Sequence, residues 1–333
     1  MIIFIFLMVI PGFVFQNALA QDVLFINKEA VSEDEFIFFL KPERALTYNY
    51  FYTNYGAEQS PEFWNTSYAG ETPGQYIQNR AIEKLVEVKT HLILARELGL
   101  LEDIRFSSIE NSFELENKRR REAREKGEVI YGPKEFSMHT FFSYWYSNLV
   151  ISLRKEWGNR YQPNNDSLRN YYQRNRNDYR SPDELFLTEA GIPYIDDQDK
   201  NRALKHADEI IATTLFDLNI CKRSDIECED FTILENGMME SEDYLASRYN
   251  LARQLKAGEY GGPIDDSRNQ RIILLVCKDR KEGHIQSYEK VRQSVIRRYK
   301  DKQFLLYMEE RARVAEIKIV SDDISAIILK NLK

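Results

Sequence analysis

Few residues in this chain could carry covalent or metal chemistry: there are three cysteines and four histidines in 333 residues. Cys221 and Cys228 share one connecting segment, which leaves a small disulfide loop open to them in an oxidising compartment. Cys277 closes the apolar run RIILLVC and reads as a buried strand residue. The cysteines show no CxxC spacing and the histidines are scattered, so the pattern gives no zinc site. Gly261 and Gly262 in GEYGGPI are not followed by Lys-Ser or Lys-Thr, so they read as a turn and not as a phosphate cradle. No cofactor is implied and no ATP site is visible.

The chain around these residues is globular and long enough for two packed domains. It is 43% hydrophobic and 30% charged, with a formal net charge of −7. Acidic and basic residues alternate within the same helical stretches, which argues against nucleic acid as the main partner. The basic run Lys118 to Arg121 is flanked by Glu114, Glu116 and Glu122 and reads as a solvated helix face. Ile2 to Phe15 is almost wholly apolar but shorter than the roughly 20 residues a spanning helix needs. With Ala18 and Ala20 it reads as a signal peptide over residues 1–20, cut before Gln21. No Lys or Arg precedes the apolar run, so an uncleaved segment that keeps the chain near a membrane is the alternative.

After this segment, VLFINKEAVSEDEFIFFL reads as a strand, a turn and a helix, with Ser32 as N-cap and Glu35 completing a capping box. Ile77, Ala81, Leu85, Val88, Leu92 and Ala95 recur at helical steps from Pro73 to Leu98, with Gly99 as the stop. Further helices are expected near Ser108 to Lys126 and Ser137 to Trp157, separated by VIYGP. This lobe is rich in aromatics, Tyr48 to Tyr68 early and Phe141 to Tyr146 late. Most would fill the core, but so many cannot all face inward, and the rest could line a groove for apolar chain segments. Asp166 is the expected N-cap of a polar helix that ends near Tyr179, and Pro182 sets an extended start to the strand ELFLTEAGIPY.

The run LARQLKAGEYGGPIDDSRNQRIILLVCKDRKEG, followed by a long helical pattern, resembles the closing half of a parvulin-type peptidyl-prolyl isomerase domain. The strand after Asp166, together with the opening strand and helix, extends the resemblance to SurA and PrsA extracytoplasmic folding chaperones. The resemblance implies an α+β fold: a mostly helical lobe (21–180) with an inserted parvulin-like domain (181–283), a returning helix (284–320) and a tail (321–333). It implies unfolded or nascent exported polypeptides as partners, with no nucleotide or nucleic acid, and a periplasmic or secreted location.

Isomerisation crosses a barrier near ~20 kcal/mol by twisting an amide, which needs an apolar slot and polar groups that favour the twisted bond. The family supplies two facing histidines and a nearby Cys or Asp. In this chain the family's first-strand pattern falls on Leu185 to Pro193 and puts Glu189 at one histidine; the last-strand pattern puts Arg271 at the other. Ser224 and Asp225 resemble the third motif, with Ile226 at its catalytic position, and Asn236-Gly237 is what remains of a glycine-rich strand start. His206 and His284 read as exposed polar residues that do not replace the missing pair. The scaffold thus looks kept and the catalytic set exchanged, with an ion pair expected between Glu189 and Arg271. Three readings remain: a folding factor with weak or no isomerase activity, a holdase with a pseudo-isomerase domain, and a surface glycan binder.

Overall fold

The computed structural model describes residues 22–212, 218–236, 243–321 and 324–332, so the segment read as a signal peptide lies outside the described residues. In chain order the elements are β1 (Asp22–Ile26), β2 (Glu29–Ser32), α1 (Glu33–Leu40), α2 (Glu43–Tyr55), α3 (Pro73–Glu97), α4 (Phe106–Glu125) and α5 (Met138–Arg160). There follow α6 (Asn165–Arg174), β3 (Glu184–Pro193), α7 (Asp197–Ala212), β4 (Glu227–Leu234), α8 (Asp243–Gln254), β5 (Tyr260–Asp266) and β6 (Arg271–Lys281). The chain continues through α9 (Tyr288–Arg313), β7 (Ile317–Ile319) and α10 (Ile324–Leu332). It forms two compact units, one of residues 1–163 with 297–333 and one of residues 164–296. This is an α+β fold, with helices around two antiparallel sheets.

In the first unit, Asn27 and Lys28 adopt positive φ values of 51° and 71°, the geometry of a two-residue hairpin turn joining β1 to β2. β7 pairs with the other side of β1, giving the order β2-β1-β7. Ser32 caps α1 as its sequence suggests, its Oγ accepting from the Glu35 N–H at 3.3 Å. The capping box is not closed in the expected way, because the Glu35 side chain turns into the core and meets Lys89 Nζ of α3 at 2.9 Å. All six residues picked out by helical spacing on α3 are buried, and Gly99 follows the helix at φ 77°, where a side chain would be strained. Residues 321–333, expected to be a tail, contain α10 instead, whose Ile328 and Leu332 join the core formed by β1, α1 and α3. A second core joins α3, α4 and α5 to Phe304 and Met308 of α9.

In the second unit α6 is capped by Asn164 and not by Asp166: Asn164 Oδ1 accepts from the Ser167 N–H at 2.7 Å, and Asp166 lies in the first turn. The helix ends at Arg174, and a separate 3-10 turn occupies Arg176–Tyr179. The sheet order is β4-β3-β6-β5. β6 carries the continuous apolar run Ile272 to Cys277, and β3 is buried from Leu187 to Ile192 although it includes Thr188 and Glu189, because both faces of the sheet are covered. Leu185, Leu187, Ile273, Leu275 and Cys277 pack with Ala252 and Leu255 at the α8 end of one face, while Ala190, Ile192, Ile272 and Leu274 pack with α7 on the other.

A polar clamp closes the base of this sheet. Arg280 donates from Nε to Asp183 at 2.8 Å, from Nη2 to Glu235 at 2.8 Å, and from Nη1 to the carbonyls of Arg253 and Leu255 at 3.1 and 3.2 Å. The Gly283 N–H donates to the second oxygen of Asp183 at 2.8 Å. That N–H and Arg280 together hold the Asp183 carboxyl below the usual carboxylate range.

Candidate functional site

The two positions matched to the family histidines come together on one face of the second unit's sheet. In the β3–β6 register, Glu189 stands opposite Leu275, Gly191 opposite Ile273 and Pro193 opposite Arg271. Opposed and alternate residues share a face, so Glu189 and Arg271 lie diagonally, with Gly191 between them. A Cβ on Gly191 would stand 3.3 Å from Arg271 Cδ. The absent side chain is what lets the guanidinium lie across the strand, and Arg271 Nη2 comes within 2.9 Å of Glu189 Oε1.

Two residues not singled out in the sequence complete the group. Arg248 of α8 brings Nε within 2.7 Å of Glu189 Oε2, and its guanidinium lies over the Phe231 ring at 3.7 Å. Asp266, fully buried at the end of β5, accepts from Arg271 Nε at 2.9 Å and from Asn269 Nδ2 at 2.8 Å. Glu189 is 1% exposed, whereas Arg248 and Arg271 keep 18% and 23% of their side-chain surface in solvent. Burying a lone carboxylate costs several kcal/mol, so this group can exist only with cations beside it. The result is an alternating chain, Arg248, Glu189, Arg271, Asp266, that is neutral overall and fixes both matched positions. The Oε1 contact to Arg271 is a charge contact and not an aligned hydrogen bond. Such a group can hold charge and orient a strand end. Its carboxylates and guanidiniums face one another within 2.7 to 2.9 Å.

The third motif lies elsewhere. Asp225 accepts from Arg223 at 3.2 and 3.1 Å, and that pairing holds its carboxyl below the usual range. His206 Nδ1 stands 3.8 Å from Asp225, half-buried and not on the open surface expected for it; His284 is exposed. Ile226 is buried with Ala190, Ile192, Ala203 and Ala207, on the face opposite Glu189. Position parity explains this: Glu229, Phe231 and Ile233 of β4 stand opposite Glu189, Leu187 and Leu185, so Ile226 and Cys228 fall on the reverse side. Cys221 and Cys228 form a disulfide there. Cys277 is buried, and burial pushes its thiol up. Gly237, matched to the glycine-rich strand start, lies outside the described residues. Among the described residues no group of three His, Cys, Asp or Glu side chains could hold a metal ion.

The first unit carries the aromatic surface. Phe51, Phe63, Trp64, Phe141 and Phe142 are core residues, while Tyr52 and Tyr144 are exposed. Arg120, expected on a solvated face, is buried and organises the loop between α4 and α5. Its Nη1 donates to the Tyr131 and Pro133 carbonyls at 3.2 and 2.6 Å, and its guanidinium lies 4.2 Å from the Phe136 ring centre. Asn117 closes the same loop, donating to the Phe136 carbonyl at 3.0 Å and accepting from its N–H at 2.8 Å. The loop so held presents Val129 and Tyr131 to solvent. Tyr144 stacks on Phe136, with ring centres 6.0 Å apart, and borders an open concavity of about 610 Å³ along α5 with His139, Ser143 and Asn148. No helix among the described residues is long and apolar enough to cross a membrane.

No family model matches the chain. A curated protein from Bifidobacterium longum subsp. longum, named as a chaperone for lacto-N-biosidase, is 25% identical over 143 residues. The match takes in 43% of this chain and about half (51%) of that protein's length. Among solved structures, the chain is similar to a SurA-like chaperone of Campylobacter jejuni at 10% identity and a TM-score of 0.32, covering 90% of this chain and 99% of that one. It is also similar to the foldase PrsA of Lactococcus lactis, at 10% identity and a TM-score of 0.27, covering 94% and 100%.

Proposed function

We propose that this chain is an extracytoplasmic folding chaperone that holds unfolded exported polypeptides through its aromatic first unit. Its second unit keeps a parvulin-type scaffold without the isomerase chemistry. The observation that carries this reading is the closed charge group at Glu189 and Arg271. Where the sequence resemblance calls for two histidines with unengaged polar atoms, this chain has a buried carboxylate committed to two arginines. The exposed, braced apolar loop between α4 and α5 gives the first unit a surface that extended apolar segments could cover. The chaperone named for a single enzyme in the partial relative supports a narrow client range, so an exported enzyme is the client class to test first.

Two assays on the purified protein test the reading. It should suppress aggregation of a denatured exported protein in a dose-dependent way and leave the cis-trans rate of a proline-containing peptide at its uncatalysed value. Acceleration that disappears in Glu189→Ala would establish the isomerase reading in its place. Binding of glycans without any effect on aggregation would favour the third reading. The variant carrying Glu189→His with Arg271→His asks whether the scaffold can regain activity once the charge group is removed.

A further inference from the structure

The sheet of the first unit ends in a short strand with one side unpaired by any other described strand. β7 is the last strand in the order β2-β1-β7. The Asn27 N–H donates to the Glu316 carbonyl at 2.9 Å and the Val320 N–H donates to the Val23 carbonyl at 3.0 Å. These bonds set the phase of the ladder: Glu316, Lys318 and Val320 aim their backbone groups at β1, so Ile317 and Ile319 aim theirs outward. The side chains of Glu316, Ile317, Lys318 and Ile319 are all exposed. A lysine on an open edge ordinarily guards against unwanted pairing. Here Glu316 stands two residues before it on the same face, so the edge carries both a charge and its complement.

We propose that β7 pairs antiparallel with β7 of a second copy, centred on Ile317. Antiparallel partners must match in the phase of their outward groups, which limits the symmetric registers to a few. Centring on Lys318 would set Lys318 against Lys318, and centring on Ile319 would set Lys318 against Val320. Centring on Ile317 sets Glu316 against Lys318 twice, Ile317 against Ile317 and Ile319 against Ala315. Only this register among the three puts opposite charges across from each other at both ends, the arrangement a two-fold contact requires. The contact is short, so the dimer is weak and concentration-dependent.

Sedimentation of the purified protein over a concentration series tests this. The parent should self-associate, and Glu316→Lys and Lys318→Glu should each weaken association by about tenfold or more. The Glu316→Lys plus Lys318→Glu double variant should restore it, and mixing the two single variants should yield a heterodimer, since each then meets its opposite at both ends. Circular dichroism confirms that the surface variants remain folded. A protein that stays monomeric throughout, or a dimer indifferent to these charges, overturns the proposal. So does a monomer whose β7 edge is taken by an added extended client peptide.

Discussion

Each unit buries a carboxylate, and the two solutions differ in kind. In the first unit Glu35 and Lys89 form an isolated pair, 2% and 1% exposed. Burial pushes the Glu35 carboxyl above the usual range, and Lys89 pulls it back only in part. In the second unit Glu189 shares two arginines that reach solvent, one of them also bound to Asp266. The lone pair concentrates its dependence in a single partner, whereas the chain of four spreads it. A site with spread dependence tolerates exchange of a member.

The contrast breaks most visibly at Lys89. Lys89→Ala should cost about 4 kcal/mol, because it strands a buried carboxylate, while Lys89→Met with Glu35→Leu should return stability to the parental level or above. Chemical denaturation measures both. Glu189→Ala should cost less, about 2 kcal/mol, since the arginines it releases can turn to water. A loss as large as that at Lys89 would erase the distinction.

The units should also answer pH in opposite directions. Asp183 is held below its ordinary value, so the clamp's contribution is full above that value and is lost as pH falls through the depressed one. Glu35 is raised, so its contribution is full below the ordinary carboxylate value and is lost as pH rises through the raised one. Asp183→Asn should therefore flatten the acid side of the stability profile of the second unit, read by site-resolved hydrogen exchange. The smallest expected effect is Gly191→Ala, about 1 kcal/mol, from a Cβ that crowds Arg271 without removing a charge.

Periodicity and caps made the long helices legible, and α3 could be read almost to the residue. The strand pair β3–β6 was legible through its resemblance, and with it the diagonal of Glu189 and Arg271. Arg248 was not, because it reaches Glu189 from a helix with no signature of its own. Asp266 sits in DDSRNQ, where acidic residues are expected in a turn whether or not they are buried. The N-cap of α6 was misplaced by two positions because Asn164, Asn165 and Asp166 are all good caps, and only geometry chooses among them. β7 falls within the stretch read as a returning helix (284–320) and α10 within the stretch read as a tail (321–333), since three residues are too few for a period and the partner strand of β7 lies at the other end of the chain. Arg120 was hidden in a run whose neighbours do face water.

The pairing of β1 with β7, in which Glu316 N–H reaches Asn27 Oδ1 across 289 residues, ties the maturation of the first unit to nearly the whole length of the chain. As the polypeptide emerges during synthesis, residues 164–296 are contiguous and can complete their sheet while β1 still waits for its second neighbour. The sheet of the first unit would thus be finished last, after that of residues 164–296, and a ribosome stalled before residue 317 would release a chain in which β1 has gained β2 but not β7.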